Sequence, residues 1–108
     1  MIIGVDFDGT LVKYDYPRIG EPNTRLIYQL KKLQEKGHKL ILWTCRDGKE
    51  LQEAIDYCAD VCYLFFDAVN DDLPEIKNTF INKSQKVYAD IYIDDRNVLI
   101  EQFLEENK

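Results

Sequence analysis

The sequence has no long apolar run and no basic region at its amino terminus, and its number of cysteines is odd. Its longest unbroken apolar segment, residues 61–66, is far shorter than the roughly 20 residues of a membrane-spanning helix. Three cysteines, at positions 45, 58 and 62, fit no disulfide framework, and this favours a reducing, cytoplasmic setting. We expect the amino-terminal segment to belong to the fold and not to be a signal peptide, because no basic region precedes its apolar residues.

Positive charge is also scarce. The chain has 14 Lys and Arg against 20 Asp and Glu, which gives a net charge of −6 at pH 7. A protein of this charge repels a phosphate backbone, so nucleic acid is not expected as a partner. The length of 108 residues, 45% of them hydrophobic, suits one globular domain with a real core. We therefore predict a single domain over residues 1–108.

Apolar residues recur alternately at strand-like and helix-like spacing. Buried strands are predicted at residues 2–7, 39–43, 61–66 and 87–93, with helices at 23–36, at 48–59 and at the carboxyl end. The second helix has a plausible capping pair in Asp47 and Glu50. This order predicts an α/β fold, a mostly parallel Rossmann-like sheet in three layers with flanking helices. Ligands of such sheets bind outside the carboxyl ends of the strands.

Acidic and hydroxyl side chains follow three of the predicted strands. Asp6 and Asp8 end the first strand, Thr44 follows the second, and Asp94 and Asp95 follow the fourth. Four carboxylates at one sheet edge would repel each other by about 4 kcal/mol for each pair roughly 4 Å apart at an effective dielectric of about 20. A bound cation relieves this repulsion, and carboxylate and carbonyl oxygens favour Mg²⁺.

The spacing of Asp6 and Asp8 suits phosphoryl chemistry. On a strand with period two they point the same way, while Phe7 points toward the core. One carboxylate can attack phosphorus to form an acyl phosphate. The other can protonate the leaving oxygen and then deprotonate the attacking water. Gly9 permits the chain to leave the strand in a tight turn.

The segment DFDGT, residues 6–10, resembles the first motif of the haloacid dehalogenase (HAD) superfamily. Thr44, Lys86 and the pair Asp94 and Asp95 resemble its second, third and fourth motifs, in the same order along the chain. The stretches GHKLILWTCR and KVYADIYIDDR resemble a group of small HAD-like proteins without a cap domain. The resemblance implies an HAD-type fold with no cap domain, since the two connections where a cap is inserted are short.

The resemblance also implies roles for the residues that match the motifs. Asp6 would be the nucleophile and a metal ligand. Asp8 would be the general acid and base, and its backbone carbonyl would also bind the metal. The backbone N–H groups after Asp6 would help to cradle the transferred phosphoryl group.

The remaining motif residues would bind phosphate and metal. By the resemblance, Thr44 and Lys86 would hold the phosphoryl oxygens, while Asp94 and Asp95 would bind Mg²⁺. Lys83 lies three residues before Lys86 and could supply the ammonium instead. Lys86 is the preferred residue because it directly precedes the predicted strand.

The motifs together predict a Mg²⁺-dependent phosphatase that acts through an aspartyl-phosphate on Asp6. Its substrate would be a phosphorylated compound of unknown identity, and a neighbouring subunit could cover the open site. Three alternatives stay open: phosphotransfer to an acceptor other than water, a receiver-like signalling domain, and a non-catalytic phosphate-binding module. A receiver domain carries its phosphorylated aspartate after the third strand, whereas here the acid pair after the first strand suits hydrolysis.

Other reactive or aromatic residues are given structural interpretations. Cys45 has no histidine placed to activate it and is expected to pack, as are Cys58 and Cys62 on a core face of the second helix. Core aromatic residues are expected to be Trp43, Phe65 and Phe66. Residues that could touch substrate but are interpreted as surface residues are Tyr14, Tyr16, Arg18 and Arg46.

Overall fold

The computed structural model describes residues 1–71, 73 and 89–93. In these residues the chain forms four strands and two helices: β1 (Ile2–Val5), α1 (Thr24–Glu35), β2 (Lys39–Leu42), α2 (Gly48–Asp60), β3 (Ala68–Val69) and β4 (Ile91–Ile93). Outside the described residues lie the predicted closing helix and the first two residues of the predicted fourth strand. Within the described part, no helix is long and apolar enough to cross a membrane.

The strands form one parallel sheet in the order β3-β2-β1-β4. β1 is central, and its last residue, Val5, pairs with Leu42 of β2 and with Ile93 of β4. The carboxyl ends of these three strands therefore lie side by side. This arrangement confirms the predicted α/β fold with a parallel, Rossmann-like sheet.

Both described helices pack on one face of the sheet. Successive right-handed crossovers from β1 to β2 and from β2 to β3 place their connecting helices on the same side. The opposite face carries a smaller cluster around Ile41 and Leu73. The second helical layer expected on that face lies outside the described residues. The main core cluster includes Ile3, Val5, Leu26, Leu30, Leu40, Leu42, Ala54 and Cys58.

Helix α1 forms where the sequence predicts it. The side chain of Asn23 caps its first turn, with Oδ1 accepting the Leu26 N–H at 3.2 Å. At the other end Gly37 has a φ of 98°, a left-handed conformation that glycine adopts without steric cost. The four apolar residues at helical spacing are all buried: Leu26, Ile27, Leu30 and Leu33.

The predicted third strand, residues 61–66, is wrong, because the strand is Ala68–Val69. The apolar run instead folds back as it leaves α2, where the Leu64 N–H donates to the Cys58 carbonyl at 2.8 Å. Tyr63 has a φ of 53°, which no regular strand allows. A short apolar run does not by itself distinguish a strand from the end of a buried helix.

The structure also corrects two local expectations, one on the aromatic core and one on the start of α2. Phe65 is 60% exposed and not in the core, whereas Phe66 and Trp43 are half-buried against the two apolar clusters. The predicted capping pair of α2 is also wrong in part. Asp47 is the N-cap, but its side chain makes no capping hydrogen bond within the described structure.

Candidate active site

The chain leaves β1 in a tight turn that separates Phe7 from the two aspartates. Asp6 continues the sheet, because its N–H donates to the Ile93 carbonyl at 3.0 Å. Phe7 is fully buried, whereas Asp6 and Asp8 are half-buried. The predicted burial of Phe7 is therefore confirmed, but β1 ends at Val5, so Asp6 and Asp8 lie in the turn and not on a strand. Gly9, with a φ of 82°, lets the chain turn back on itself.

The backbone N–H groups of this turn bind within it. The Phe7 N–H donates to Oδ1 of Asp6 at 2.7 Å. The Gly9 N–H donates to the Val12 carbonyl, and the Thr10 N–H to the Phe7 carbonyl. A phosphoryl group cradled by these three N–H groups would have to compete with the turn's own hydrogen bonds.

Thr44 lies at the same sheet edge as Asp6. It follows Trp43, whose N–H donates to the Val5 carbonyl at 2.9 Å. The Thr44 N–H donates to Oδ1 of Asn70 at 2.7 Å, and its hydroxyl oxygen accepts the Arg46 N–H at 3.2 Å. These bonds fix the backbone of Thr44 between the exits of β1 and β3.

Arg46 is the most enclosed charged residue described at this edge. Its guanidinium forms a two-bond ion pair with Asp8, from Nε to Oδ2 and from Nη2 to Oδ1, each 2.8 Å long. The Arg46 side chain is 1% exposed and that of Asp8 is 12% exposed. Burial alone would lower the pKa of Arg46, but the hydrogen bond and charge of Asp8 outweigh it and raise this pKa. The expectation that Arg46 is a surface residue is therefore wrong.

The other residues of the turn and loop that could touch substrate are exposed, as expected: Tyr14, Tyr16 and Arg18. The ring of Tyr16 nevertheless has a partner, because its centroid lies 5.0 Å from Cζ of Arg46. Phe7 lies at the same distance from that atom. The guanidinium is thus in contact with two aromatic rings, a favourable arrangement for a planar cation.

Carboxylate and carbonyl oxygens of the β1 exit would suit Mg²⁺. Asp6 and the carbonyl of Asp8 are hard oxygen donors of the kind this ion prefers. No group of three His, Cys, Asp or Glu that could hold a metal occurs among the described residues. The proposed ligands Asp94 and Asp95 lie outside these residues, although they directly follow Ile93 in the sequence. Lys83 and Lys86 also lie outside them.

The cysteines differ in environment. Cys45 is exposed, so the expectation that it packs is wrong. The single histidine, His38, lies before β2, where Nδ1 is 2.9 Å from the Met1 amino nitrogen, and so at the opposite end of the strand from Cys45. Cys58 is buried in the core as expected, and burial raises the pKa of its thiol to about 12. At neutral pH Cys58 is therefore a protonated packing residue.

Two residues of the site escaped the sequence interpretation. Asn70, which the sequence does not single out, directly follows β3, has a φ of 52° and holds Thr44 through its amide oxygen. Arg46 was assigned to the surface. A signal for Arg46 was present, since it lies two residues beyond a strand-end threonine at an edge rich in carboxylates. A cation there has an evident partner.

Comparison with known proteins agrees with this geometry. Residues 3–66, more than half of the chain, match the model of a family described as haloacid dehalogenase-like hydrolase. The chain belongs to this family of hydrolases. It is also similar to the solved structure of a conserved protein from Bacteroides thetaiotaomicron, with 45% identity and a TM-score of 0.80. That match covers all of this chain and 92% of the other. No curated protein sequence matches the chain.

Proposed function

We propose that this hydrolase is a Mg²⁺-dependent phosphomonoesterase that acts through an aspartyl-phosphate on Asp6. The observation that carries the proposal is the position of Asp6. It extends from the tip of the central strand, is hydrogen-bonded to β4 and is flanked by the exit of β2 that bears Thr44. The carboxyl edge of a parallel sheet is where such folds bind ligands.

The carboxylates divide the reaction into two steps. An Asp6 oxygen attacks phosphorus, and the bond from phosphorus to the leaving oxygen breaks. Asp8 enters this step protonated, gives its proton to the leaving oxygen, and is left as the carboxylate that Arg46 binds. Asp8 then accepts a proton from the water that attacks the phosphoryl group. The bond from Asp6 to phosphorus breaks, which releases phosphate and restores Asp6. The hydrogen bond from the Phe7 N–H fixes the Asp6 carboxylate for its attack on phosphorus.

Neutral and cationic donors would hold the phosphoryl oxygens. The Thr44 hydroxyl oxygen accepts the Arg46 N–H, so its hydrogen can donate to a phosphoryl oxygen. Lys86, or Lys83 in its place, would add an ammonium. Mg²⁺, when bound by Asp6, the Asp8 carbonyl, Asp94 and Asp95, supplies charge stabilisation for the phosphoryl oxygens.

The receiver-like alternative has less support. In the sheet order of receiver domains β1 lies between β2 and β3, whereas here it lies between β2 and β4. The residue directly after β3 is Asn70, whose amide cannot form an acyl phosphate.

Hydrolysis of an aryl phosphate tests the proposal. The protein with Mg²⁺ should release the phenol, EDTA should stop the release, and added Mg²⁺ should restore it. Asp6→Asn should lower kcat by at least about a thousandfold, since the nucleophile is lost. Asp60→Asn, at the exposed end of α2, is the matched control. Activity retained by Asp6→Asn would contradict the nucleophile assignment, and indifference to EDTA would contradict the metal.

A further inference from the structure

Arg46 has no N–H group left for a substrate. A guanidinium carries five N–H donors, and five hydrogen bonds leave the Arg46 side chain for protein acceptors. Two of these bonds bind the Asp8 carboxylate. The other three bind the backbone carbonyls of Pro17 and Glu50 at 3.3 Å and of Arg18 at 2.8 Å. A phosphoryl oxygen could gain an Arg46 donor only by displacing one of these acceptors.

The acceptors belong to three separate parts of the fold. Asp8 lies in the exit turn of β1, Glu50 in the first turn of α2, and Pro17 and Arg18 in the loop of residues 13–22, which we call the entry loop. Tyr16 of the same loop stacks on the guanidinium. Arg46 therefore connects the proposed acid and base directly to the entry loop.

The base of the entry loop is fixed independently of Arg46. The Lys13 N–H donates to the Glu21 carbonyl at 2.8 Å. A Cβ atom at Gly20 would overlap the carbonyl oxygen of Lys13, so the two sides of the loop are in close backbone contact. The tip, which includes residues 16–18, is the part that Arg46 holds.

We propose that Arg46 is a positioning residue that holds Asp8 and the tip of the entry loop as one unit. The inference rests on the proposed function, in which Asp8 transfers the proton. The planar guanidinium of Arg46 holds the Asp8 carboxylate in position for that transfer through two parallel hydrogen bonds. A lysine would keep the charge, but its three donors on a single nitrogen cannot bind two carboxylate oxygens and three carbonyls. The planar arrangement of five donors in the guanidinium, and not its charge alone, therefore positions Asp8 and the loop.

The test compares Arg46→Lys with Arg18→Lys in the intact protein. Arg18 is exposed, and the control keeps the carbonyl that Arg46 binds. With an aryl phosphate and Mg²⁺, Arg46→Lys should lower kcat up to about a hundredfold, the loss that a small misplacement of a catalytic group can cause. KM should stay close to that of the unmodified protein, because Arg46 does not bind substrate. An unchanged kcat, or a change confined to KM, would overturn the inference.

Hydrogen exchange at the entry loop gives a readout without catalysis. Asp8→Asn changes a residue that is linked to the loop through Arg46. It should therefore speed exchange of the Arg18 amide, which donates to the Asp15 carbonyl at 3.0 Å. Arg46→Lys should do the same, and the double variant should add little to either. If Arg46→Lys fails to fold, Tyr16→Leu takes its place. It removes an exposed ring that contacts the guanidinium, and it should also speed exchange of the Arg18 amide. Unchanged exchange in Asp8→Asn would contradict the linkage.

The two readouts separate this inference from the proposed function. If the protein hydrolyses the aryl phosphate but Arg46→Lys leaves kcat unchanged, the positioning role alone is wrong. If no phosphomonoester is hydrolysed but Asp8→Asn still speeds loop exchange, the linkage stands and the proposed function is wrong.

Discussion

Aspartates lie at both ends of the parallel sheet. Those at the amino end bind backbone N–H groups of strands, whereas Asp8 at the carboxyl end binds a charged side chain. At the amino end, Asp90 accepts the Ile2 N–H at 2.6 Å and Asp67 accepts the Leu40 N–H at 2.7 Å. Both carboxylates thus continue the hydrogen bonding of a strand. At the carboxyl end, Asp8 instead binds the guanidinium of Arg46.

The difference follows from the polarity of the strands. A parallel sheet presents N–H groups at its amino end, and a carboxylate there can accept them. Its carboxyl end presents carbonyl oxygens, which cannot donate to a carboxylate. A charge at that end is stabilised by a cation or by an N–H group of the chain beyond the strand, as the Asp6 carboxylate is by the Phe7 N–H. Arg46 is the cation for Asp8, and we propose Mg²⁺ as the cation beside Asp6.

The largest expected effect distinguishes the two ends by activity. Asp8→Asn should lower kcat for an aryl phosphate by about 10²–10⁴-fold, because an amide cannot transfer the proton. The matched change Asp67→Asn, at the amino end, should leave kcat per folded molecule unchanged. Equal losses from the two variants would show that the ends are not functionally different.

A smaller effect tests how much the aspartates at the amino end stabilise the sheet. Asp67→Ala should lower the free energy of unfolding by about 1–2 kcal/mol, because the N–H of buried Leu40 loses its side-chain acceptor. Asp60→Ala, an exposed change at the end of α2, should alter it by less than about 0.5 kcal/mol. Urea unfolding of both variants measures the difference. Equal values would mean that Asp67 does not stabilise the edge of β2.

The sequence predicts those parts of the fold that depend on local periodicity. Helix α1 has apolar residues at helical spacing, a capping asparagine and a terminal glycine, and it forms between them. The positions of Asp6, Asp8 and Thr44 follow in the same way, because each closely follows a predicted strand that the structure contains. The chain belongs to the hydrolase family that their motifs resemble.

Features that depend on distant contacts were not predictable in this way. Residues 61–66 have the composition of a strand, but the bond from Leu64 to Cys58 turns them back at the end of α2. Arg46 is polar and lies in a short loop, so its sequence gives no measure of burial. Its acceptors come from residues 8, 17, 18 and 50, which only the folded chain brings together.

Detection of a phosphoryl group on Asp6 tests the central claim most directly. The Asp8→Asn variant should retain the acyl phosphate longer, because the water that releases it lacks a base. After brief reaction with an aryl phosphate and Mg²⁺, mass spectrometry should find the added phosphoryl group on the peptide that contains Asp6, and hydroxylamine should remove it. A phosphoryl group on another residue, or turnover with none on Asp6, would contradict the account.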